Sequence, residues 1–149
     1  MKKIILAVCV IANLGFCLDE YLEIDLNQAL QSSFVQKISP KLGVEFVWGE
    51  FNGEVFKRDN DVAKRSRKYR EEFSSDMDDK IELPKEKSCN YVLSGVMIHM
   101  AKLARKARAS KVVNIRYNFG GKEYQNPNKF QCVRGNAVTS VSMRADFVK

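Results

Sequence analysis

The longest periodic stretch of the chain begins at Cys89 and ends near Ser110. Apolar residues recur there at spacings of three and four, which places them on one face of a helix. That face consists of Val92, Leu93, Val96, Met97, Met100, Leu103, Ala104 and Ala107. Ser88 is a suitable N-cap, and basic residues crowd the last turns, where the helix dipole favours them. The pattern therefore predicts one long amphipathic helix.

Two stretches after this helix have the alternation of half-buried strands. In the β-branched run from Lys111 to Tyr117, the side predicted to be buried carries Val113, Ile115 and Tyr117. In the last strand, the predicted buried side carries Val141, Met143, Ala145 and Phe147. Gly120-Gly121 and Asn126-Pro127 mark a loop between them, and 130–133 begins a return strand.

The residues before the helix predict shorter elements. Leu18 to Ile24 alternates weakly and predicts a strand, after which Asp25 can cap a helix over Leu26 to Gln31. Asn52-Gly53 is typical of a two-residue hairpin turn, so residues 44–51 are predicted to pair with residues 54–58. Strands, one long helix and further strands predict an α+β domain, with the helix packed on one face of an antiparallel sheet.

Between residues 57 and 87 the composition shifts to charge. Val62, Ser66, Tyr69 and Phe73 lie at helical spacing and favour a helix, whereas the density of charge favours a long surface excursion. Both interpretations stay open at this point.

Residues 1–17 have the pattern of a signal peptide. Lys2 and Lys3 precede a short apolar run, which is briefer than the about 20 residues that span a bilayer. We expect cleavage after Cys17 and a single domain over residues 18–149. The alternative, a lipoprotein acylated at Cys17, is disfavoured because bulky Phe16 stands where a small residue is wanted. Cleavage removes two lysines and no acid, so the formal net charge falls from +7 to +5.

Two cysteines, Cys89 and Cys132, remain after this cleavage. An even pair in an exported chain predicts one disulfide. Zinc binding by reduced thiols is the alternative, but the chain lacks the paired CxxC spacing of a zinc site.

The residues from Cys89 to Lys149 also resemble a family of small exported bacterial proteins commonly labelled "excinuclease ATPase subunit". The shared pieces are a cysteine that opens the helix, the VVNI run at 112–115, the F-x-C at 130–132 and a closing alternating strand. More distantly, the chain is similar to the β-α-β core of the Rcs outer-membrane stress-sensor lipoprotein and of a family named for heavy-metal binding. It departs from them at residues 109–111, where they carry a Gly and an Asn-Ala. The resemblance implies an exported domain with extended structure over residues 66–73.

The chemistry of an excinuclease ATPase is excluded by the sequence. A phosphate-binding P-loop requires GxxxxGK followed by Ser or Thr. The only Gly-Lys pair, Gly121-Lys122, is followed by Glu123, and Arg116 stands where the first glycine should be.

No catalytic residue, metal ligand or cofactor site is predicted. His99 is the only histidine, so a site formed by Cys89, His99 and Cys132 is the sharpest metal alternative, and it competes with the disulfide. The acidic run lacks the glycine of a calcium loop; it consists of Asp76, Asp78, Asp79 and Glu82. A small hydrolase is the second functional alternative, with carboxylates drawn from Glu45, Glu50 and Glu54 and from the charged segment.

The best functional candidate is a basic cluster with one interleaved aromatic residue. It comprises Lys64, Arg65, Arg67, Lys68, Tyr69 and Arg70. Anionic lipid head groups or an acidic envelope protein suit it, whereas the exported context disfavours nucleic acid. In the opposing interpretation, the neighbouring acidic run neutralises the cluster within the fold. The sequence thus predicts a periplasmic or secreted non-enzymatic protein that binds or senses in the cell envelope.

Overall fold

The last strand of the chain is the centre of the fold. The computed structural model describes residues 19–73 and 80–149. Its helices are α1 (Leu26–Gln31), α2 (Ser33–Ile38) and α3 (Lys85–Lys106), and a 3-10 turn covers Ser39–Lys41. Its strands are β1 (Glu20–Asp25), β2 (Glu45–Phe46), β3 (Lys57–Ser66), β4 (Glu71–Phe73), β5 (Lys80–Glu82), β6 (Lys111–Phe119), β7 (Lys122–Tyr124), β8 (Lys129–Arg134) and β9 (Thr139–Val148).

Strand β9 has neighbours on both sides. β3 pairs with it along one side, while β8 and then β6 pair with it along the other side, all antiparallel. β1 extends the sheet beyond β8, β7 folds back on β6, and the short β2 joins β6 in parallel. β4 and β5 form a separate two-stranded sheet. The predicted α+β class and the largely antiparallel sheet are confirmed.

Helix α3 packs on one face of this sheet, against β3 and β9. Its predicted apolar face is buried except for Leu103, which is partly exposed, and Ala107 at the helix end. The prediction that the helix is amphipathic is therefore confirmed. No helix in the described part of the chain is long and apolar enough to cross a membrane.

The predicted start of this helix is wrong. α3 begins at Lys85, directly after Pro84, which is the N-cap residue and makes no side-chain capping hydrogen bond. Ser88 lies inside the first turn, where its hydroxyl donates to the Lys85 carbonyl at 3.1 Å and accepts from Thr139 at 3.1 Å. Ser88 therefore joins the helix to β9 and does not cap it.

The predicted disulfide is confirmed. Cys89 in the first full turn of α3 is bonded to Cys132 in β8, and both side chains are fully buried. The bond fixes the start of the helix to the strand that pairs with β1. The predicted cap is also confirmed, since the Asp25 carboxylate accepts from the Gln28 backbone N–H at 2.9 Å.

The predicted hairpin around Asn52-Gly53 is wrong. Residues 45–46 pair in parallel with β6, and residues from Lys57 onward pair with β9. The aromatic rings of Phe46 and Trp48 stack at 5.6 Å and pack against the core, so they find partners in β6 and not across a turn.

Of the interpretations left open for residues 62–73, the helix is wrong, because residues 57–66 form β3. In this strand Asn60 and Val62 are buried on the side that faces α3, which is the two-residue period of a strand. Pairing with β9 over the whole length of β3 outweighs the local helical spacing. The charged excursion thus begins with a sheet strand, and the acidic residues 76, 78 and 79 lie outside the described residues.

Strand β6 contains a bulge. Asn114 has a positive φ of 52°, and the register with β9 shifts between Val113 and Arg116. The extra residue interrupts the alternation: Val113, Ile115 and Tyr117 are buried as predicted, and Val112 is buried as well.

Replacing glycine by alanine should have opposite effects on stability at two positions. Gly120 and Gly121 form the two-residue turn between β6 and β7, with φ angles of 61° and 77°. Because an L-residue is strained there, Gly120→Ala should lower the free energy of unfolding by about 1 kcal/mol. Gly95 lies within α3, where a Cβ would meet Lys64 Cγ at 3.9 Å, an ordinary contact. Gly95→Ala should therefore raise that free energy by about 1 kcal/mol.

Urea denaturation of both variants beside the wild type measures these values. A destabilised Gly95→Ala variant would contradict the packing described between α3 and β3.

Candidate interaction surface

The turn between β3 and β4 places an aromatic residue of the predicted basic cluster against the helices. Tyr69 has a φ of 60°, and its ring centroid lies 4.8 Å from that of Phe34 in α2 and 4.9 Å from that of Tyr91 in α3. The Phe34 and Tyr91 centroids are 5.4 Å apart, so the three rings form one cluster. This contact holds the turn on the surface of α3.

Two lysines lie over these rings. The ammonium nitrogen of Lys68 is 5.7 Å from the Tyr91 centroid, and that of Lys87 is 5.7 Å from the Tyr69 centroid. Each such contact is worth about 0.5–1 kcal/mol at an exposed site. We call the three rings and two lysines the basic aromatic cluster. It carries two positive charges beside aromatic rings, and Glu71 and Glu72 border it.

A groove of about 330 Å³ continues from this cluster between the end of β3 and the middle of α3. Its lining combines cations with apolar groups and consists of Lys64, Arg65, Ser66, Tyr91, Val92, Ser94, Gly95, Ile98 and His99. Tyr91 belongs to both the groove and the cluster. Ile98 is 44% exposed, so the apolar wall of the groove faces solvent. We call this feature the α3–β3 groove.

The six residues of the predicted basic patch have different roles. Lys64 and Arg65 line the groove, Lys68 and Tyr69 belong to the basic aromatic cluster, and Arg67 is exposed. The patch is thus divided between a surface that faces solvent and one residue, Arg70, with another role.

Arg70 is directed into the fold. Its guanidinium donates to the carbonyls of Gly135 at 2.7 Å and Asn136 at 3.1 Å, and to the Thr139 hydroxyl at 3.3 Å. Burial and then the nearby Arg134 lower the pKa of Arg70 from its ordinary value. Arg70 therefore holds the connection from β8 to β9 and is not part of the interaction surface.

Glu71 and Glu72 line a pocket together with Lys68, Tyr69 and Lys87, whereas two other described acids pair with cations outside this surface. Glu82 accepts from Arg134 at 2.9 Å, and Asp61 accepts from Arg144 at 2.7 Å. Within residues 19–73 and 80–149, no acid forms an ion pair with Lys64, Arg65 or Lys68. Lys64, Arg65 and Lys68 are thus not ion-paired by a described acid, although Glu71 and Glu72 lie beside Lys68 and Lys87.

A second charged cluster lies around Asp146 in β9. Its carboxylate is 4% exposed and accepts from the Asp59 backbone N–H at 2.9 Å and from Asn114 Nδ2 at 3.0 Å. Arg116 reaches the same carboxylate at 3.5 Å and also pairs with the side chains of Asp59 and Glu123. Asp59, like Asn114, has a positive φ and sits at a register shift.

This cluster closes two bulges on either side of the central strand. Burial raises the pKa of Asp146, but hydrogen bonds from Asn114 and Asp59 and the charge of Arg116 outweigh it, so the pKa is lowered overall. Asp146 is therefore ionised, and its carboxylate oxygens accept hydrogen bonds from residues of the fold. This arrangement does not suit the proton transfer that a hydrolase requires.

The carboxylates proposed for a hydrolase are not arranged on a hairpin. Glu45 forms an ion pair with Lys111 at 3.1 Å, Glu54 is exposed, and Glu50 lines a separate cleft beside Asn126. The disulfide uses both cysteines of the metal alternative, and His99 lies at the surface. In the described residues, no group of three or more His, Cys, Asp or Glu side chains could hold a metal ion.

The sequence patterns missed the parts of this surface that come from other elements. Phe34, Lys87 and Tyr91 lie far from residues 64–70 along the chain, and only the fold brings them together. The available signal was a pair of apolar residues, Tyr91 and Ile98, spaced by seven on the side of the helix opposite its predicted apolar face.

The chain was compared with known protein families, proteins and structures. No protein-family model, curated protein or solved structure matches the chain. The resemblance carried by residues 89–149 therefore stays a prediction.

Proposed function

We propose that this chain is an exported, non-enzymatic binding domain of the cell envelope, which takes an anionic partner protein on the basic aromatic cluster and the α3–β3 groove. One observation carries the proposal: Lys64, Arg65 and Lys68 surround exposed aromatic and apolar groups without an ion-paired acid among the described residues. Tyrosine and arginine are enriched at the energetically dominant centre of protein interfaces, and here Tyr69, Tyr91 and Arg65 are the residues of those types.

The sequence supports the envelope location. Residues 1–17 have the pattern of an export signal, and a buried disulfide such as Cys89–Cys132 persists in oxidising compartments. The resemblance to exported bacterial proteins agrees with both. After cleavage the domain would be periplasmic or secreted, and acylation at Cys17 would instead tether the same surface to a membrane.

A protein partner suits the surface better than a lipid head group. A lipid surface needs mainly charge, whereas the groove also presents Tyr91 and Ile98, which would stay in contact with water above a membrane of head groups alone. An acidic protein segment can bury these groups and pair with the cations at the same time.

The proposal predicts that charge at this surface, and not net charge, governs binding. Replacing Lys64, Arg65, Lys68 and Lys87 by serine should weaken binding to immobilised polyglutamate about tenfold, because each lost contact of an exposed pair is worth about 0.2–1 kcal/mol. A control variant carries serine at four exposed lysines elsewhere: Lys37, Lys41, Lys102 and Lys122. This control has the same net charge as the first variant, and it should bind polyglutamate as the wild type does. Surface plasmon resonance from about 10 mM to about 150 mM salt measures both.

Two results would contradict the proposal. Equal losses in the two variants would show that only net charge matters. Binding of the wild type to phosphatidylglycerol vesicles without binding to polyglutamate would replace the protein partner by a lipid surface.

A further inference from the structure

One edge of strand β3 is unpaired in the part of the chain that the structure describes. The strand is ten residues long and pairs with β9 along one side, while no other strand in residues 19–73 and 80–149 pairs with it. A free edge presents backbone N–H and C=O groups that can pair with another strand. Long edges of this kind are usually protected by charge or covered by another segment.

The α3–β3 groove follows this edge. Three consecutive residues, Lys64, Arg65 and Ser66, line it. Successive side chains of a strand point to opposite faces of the sheet, so a groove that meets three in a row also contacts the backbone between them. The groove therefore lies beside the backbone at the end of β3.

The opposite wall of the groove is one face of α3. Tyr91, Gly95 and Ile98 are spaced by four and three residues, which places them in a row along the helix. From residue 91 to 99 this wall is about 12 Å long, the length of three or four residues of an extended chain. Gly95 has no side chain and leaves the middle of the wall open.

The charges along this edge determine whether an added strand should be acidic or basic. Toward the start of β3, Asp59 and Asp61 are paired with Arg116 and Arg144. At the groove end, the charges of Lys64 and Arg65 are positive and have no described acid as partner. A basic segment is repelled there, whereas an acidic one is attracted.

From these observations we infer that the β3 edge at Lys64–Ser66 accepts an extended acidic segment of the partner protein as an added strand. Alternate side chains of that segment point toward α3, where apolar groups contact Tyr91 and Ile98 and carboxylates reach Lys64. The inference rests on the proposed function and adds to it the conformation and chemistry of the ligand. A bound helix would not use the edge, because its backbone groups are already paired.

The test uses synthetic peptides of alternating glutamate and valine with a fluorescent label. Two further versions carry N-methyl groups on alternate residues, one version in each phase, so they share composition and charge. The unmodified peptide should bind in fluorescence anisotropy. One methylated version should bind at least about tenfold more weakly because its donors toward β3 are lost, and the other should bind as the unmodified peptide does.

The outcomes separate this inference from the proposed function. If both methylated versions bind as well as the unmodified peptide, strand addition is wrong and a charge contact alone remains. If neither the peptide nor polyglutamate binds, the proposed function fails as well. Concentration-dependent dimerisation of the protein alone, reversed by the peptide, would assign the edge to a second copy of the chain and overturn the inference.

A substitution on the protein tests the groove directly. Gly95→Leu should fill the groove and weaken peptide binding at least about tenfold without lowering the unfolding temperature, since leucine favours a helix more than glycine does. Lys102→Leu places the same side chain on an exposed position of α3 that does not line the groove and should leave binding unchanged. Wild-type affinity in the Gly95→Leu variant would overturn the inference.

Discussion

Replacing both Cys89 and Cys132 by alanine should lower the free energy of unfolding by about 4 kcal/mol. The disulfide joins residues 43 positions apart, and closing a loop of that length removes much of the conformational freedom of the unfolded chain. Small domains are typically stable by only about 5–15 kcal/mol, so this loss brings the domain close to unfolding. Urea denaturation of the double variant and the oxidised wild type measures the difference.

Single replacements and reduction provide the controls. Cys89→Ala alone also breaks the cross-link, so it should lose nearly as much stability as the double variant. The wild type with reductant should fall in the same range, because both sulfurs remain buried but unlinked. A loss below about 1 kcal/mol in the double variant would contradict the entropic argument. A loss near the expected value would make an oxidising compartment a requirement for the fold, as the proposed export supplies.

Features determined by short-range patterns could be predicted from the sequence. The apolar face of α3 and the alternation of Val141, Met143 and Phe147 in β9 follow directly from residue spacing, and the structure buries them as expected. The cap at Asp25 depends on residues three apart, and the disulfide on a count of cysteines. Each of these needs no knowledge of a distant partner.

Features determined by distant partners could not. β3 carries a helical spacing and few apolar residues, and only its pairing with β9 makes it a strand. The bulge at Asn114 depends on the carboxylate of Asp146, which accepts the Asn114 amide from the neighbouring strand. No local pattern around residue 114 indicates that carboxylate, so the burial of Val112 beside Val113 was not predicted.

The candidate surface shows the same division. The cations at Lys64, Arg65 and Lys68 are visible in the sequence as a charge run. The sequence does not show which of these residues can face a partner. The structure does, because Tyr69 packs on Tyr91 from α3 and Arg70 donates to a backbone carbonyl inside the fold. A charge run thus located the surface, but its edge strand and apolar wall come from the tertiary structure.

Asp146 offers the sharpest test of the packed sheet. Asp146→Asn should lower the free energy of unfolding by about 3 kcal/mol, because it leaves the largely buried Arg116 without one of its carboxylates and turns an acceptor into a donor beside Asn114. The control is Asp61→Asn on the adjacent strand. Asp61 pairs with Arg144 but is 55% exposed, so its loss should cost less than about 1 kcal/mol.

The pH dependence of this difference identifies the charge as the cause. Although burial raises the pKa of Asp146, its hydrogen bonds with Asn114 and Asp59 and the charge of Arg116 lower it overall. A carboxyl whose pKa is lower in the folded than in the unfolded state stabilises the fold above the unfolded pKa of about 3.9. That stabilisation is lost as the pH falls through the folded pKa. The gap between wild type and Asp146→Asn in urea denaturation should therefore be constant near neutral pH and shrink below about pH 4, since the asparagine does not titrate. A gap that stays constant down to about pH 3 would mean that the shape of the side chain, and not its charge, holds the two bulges.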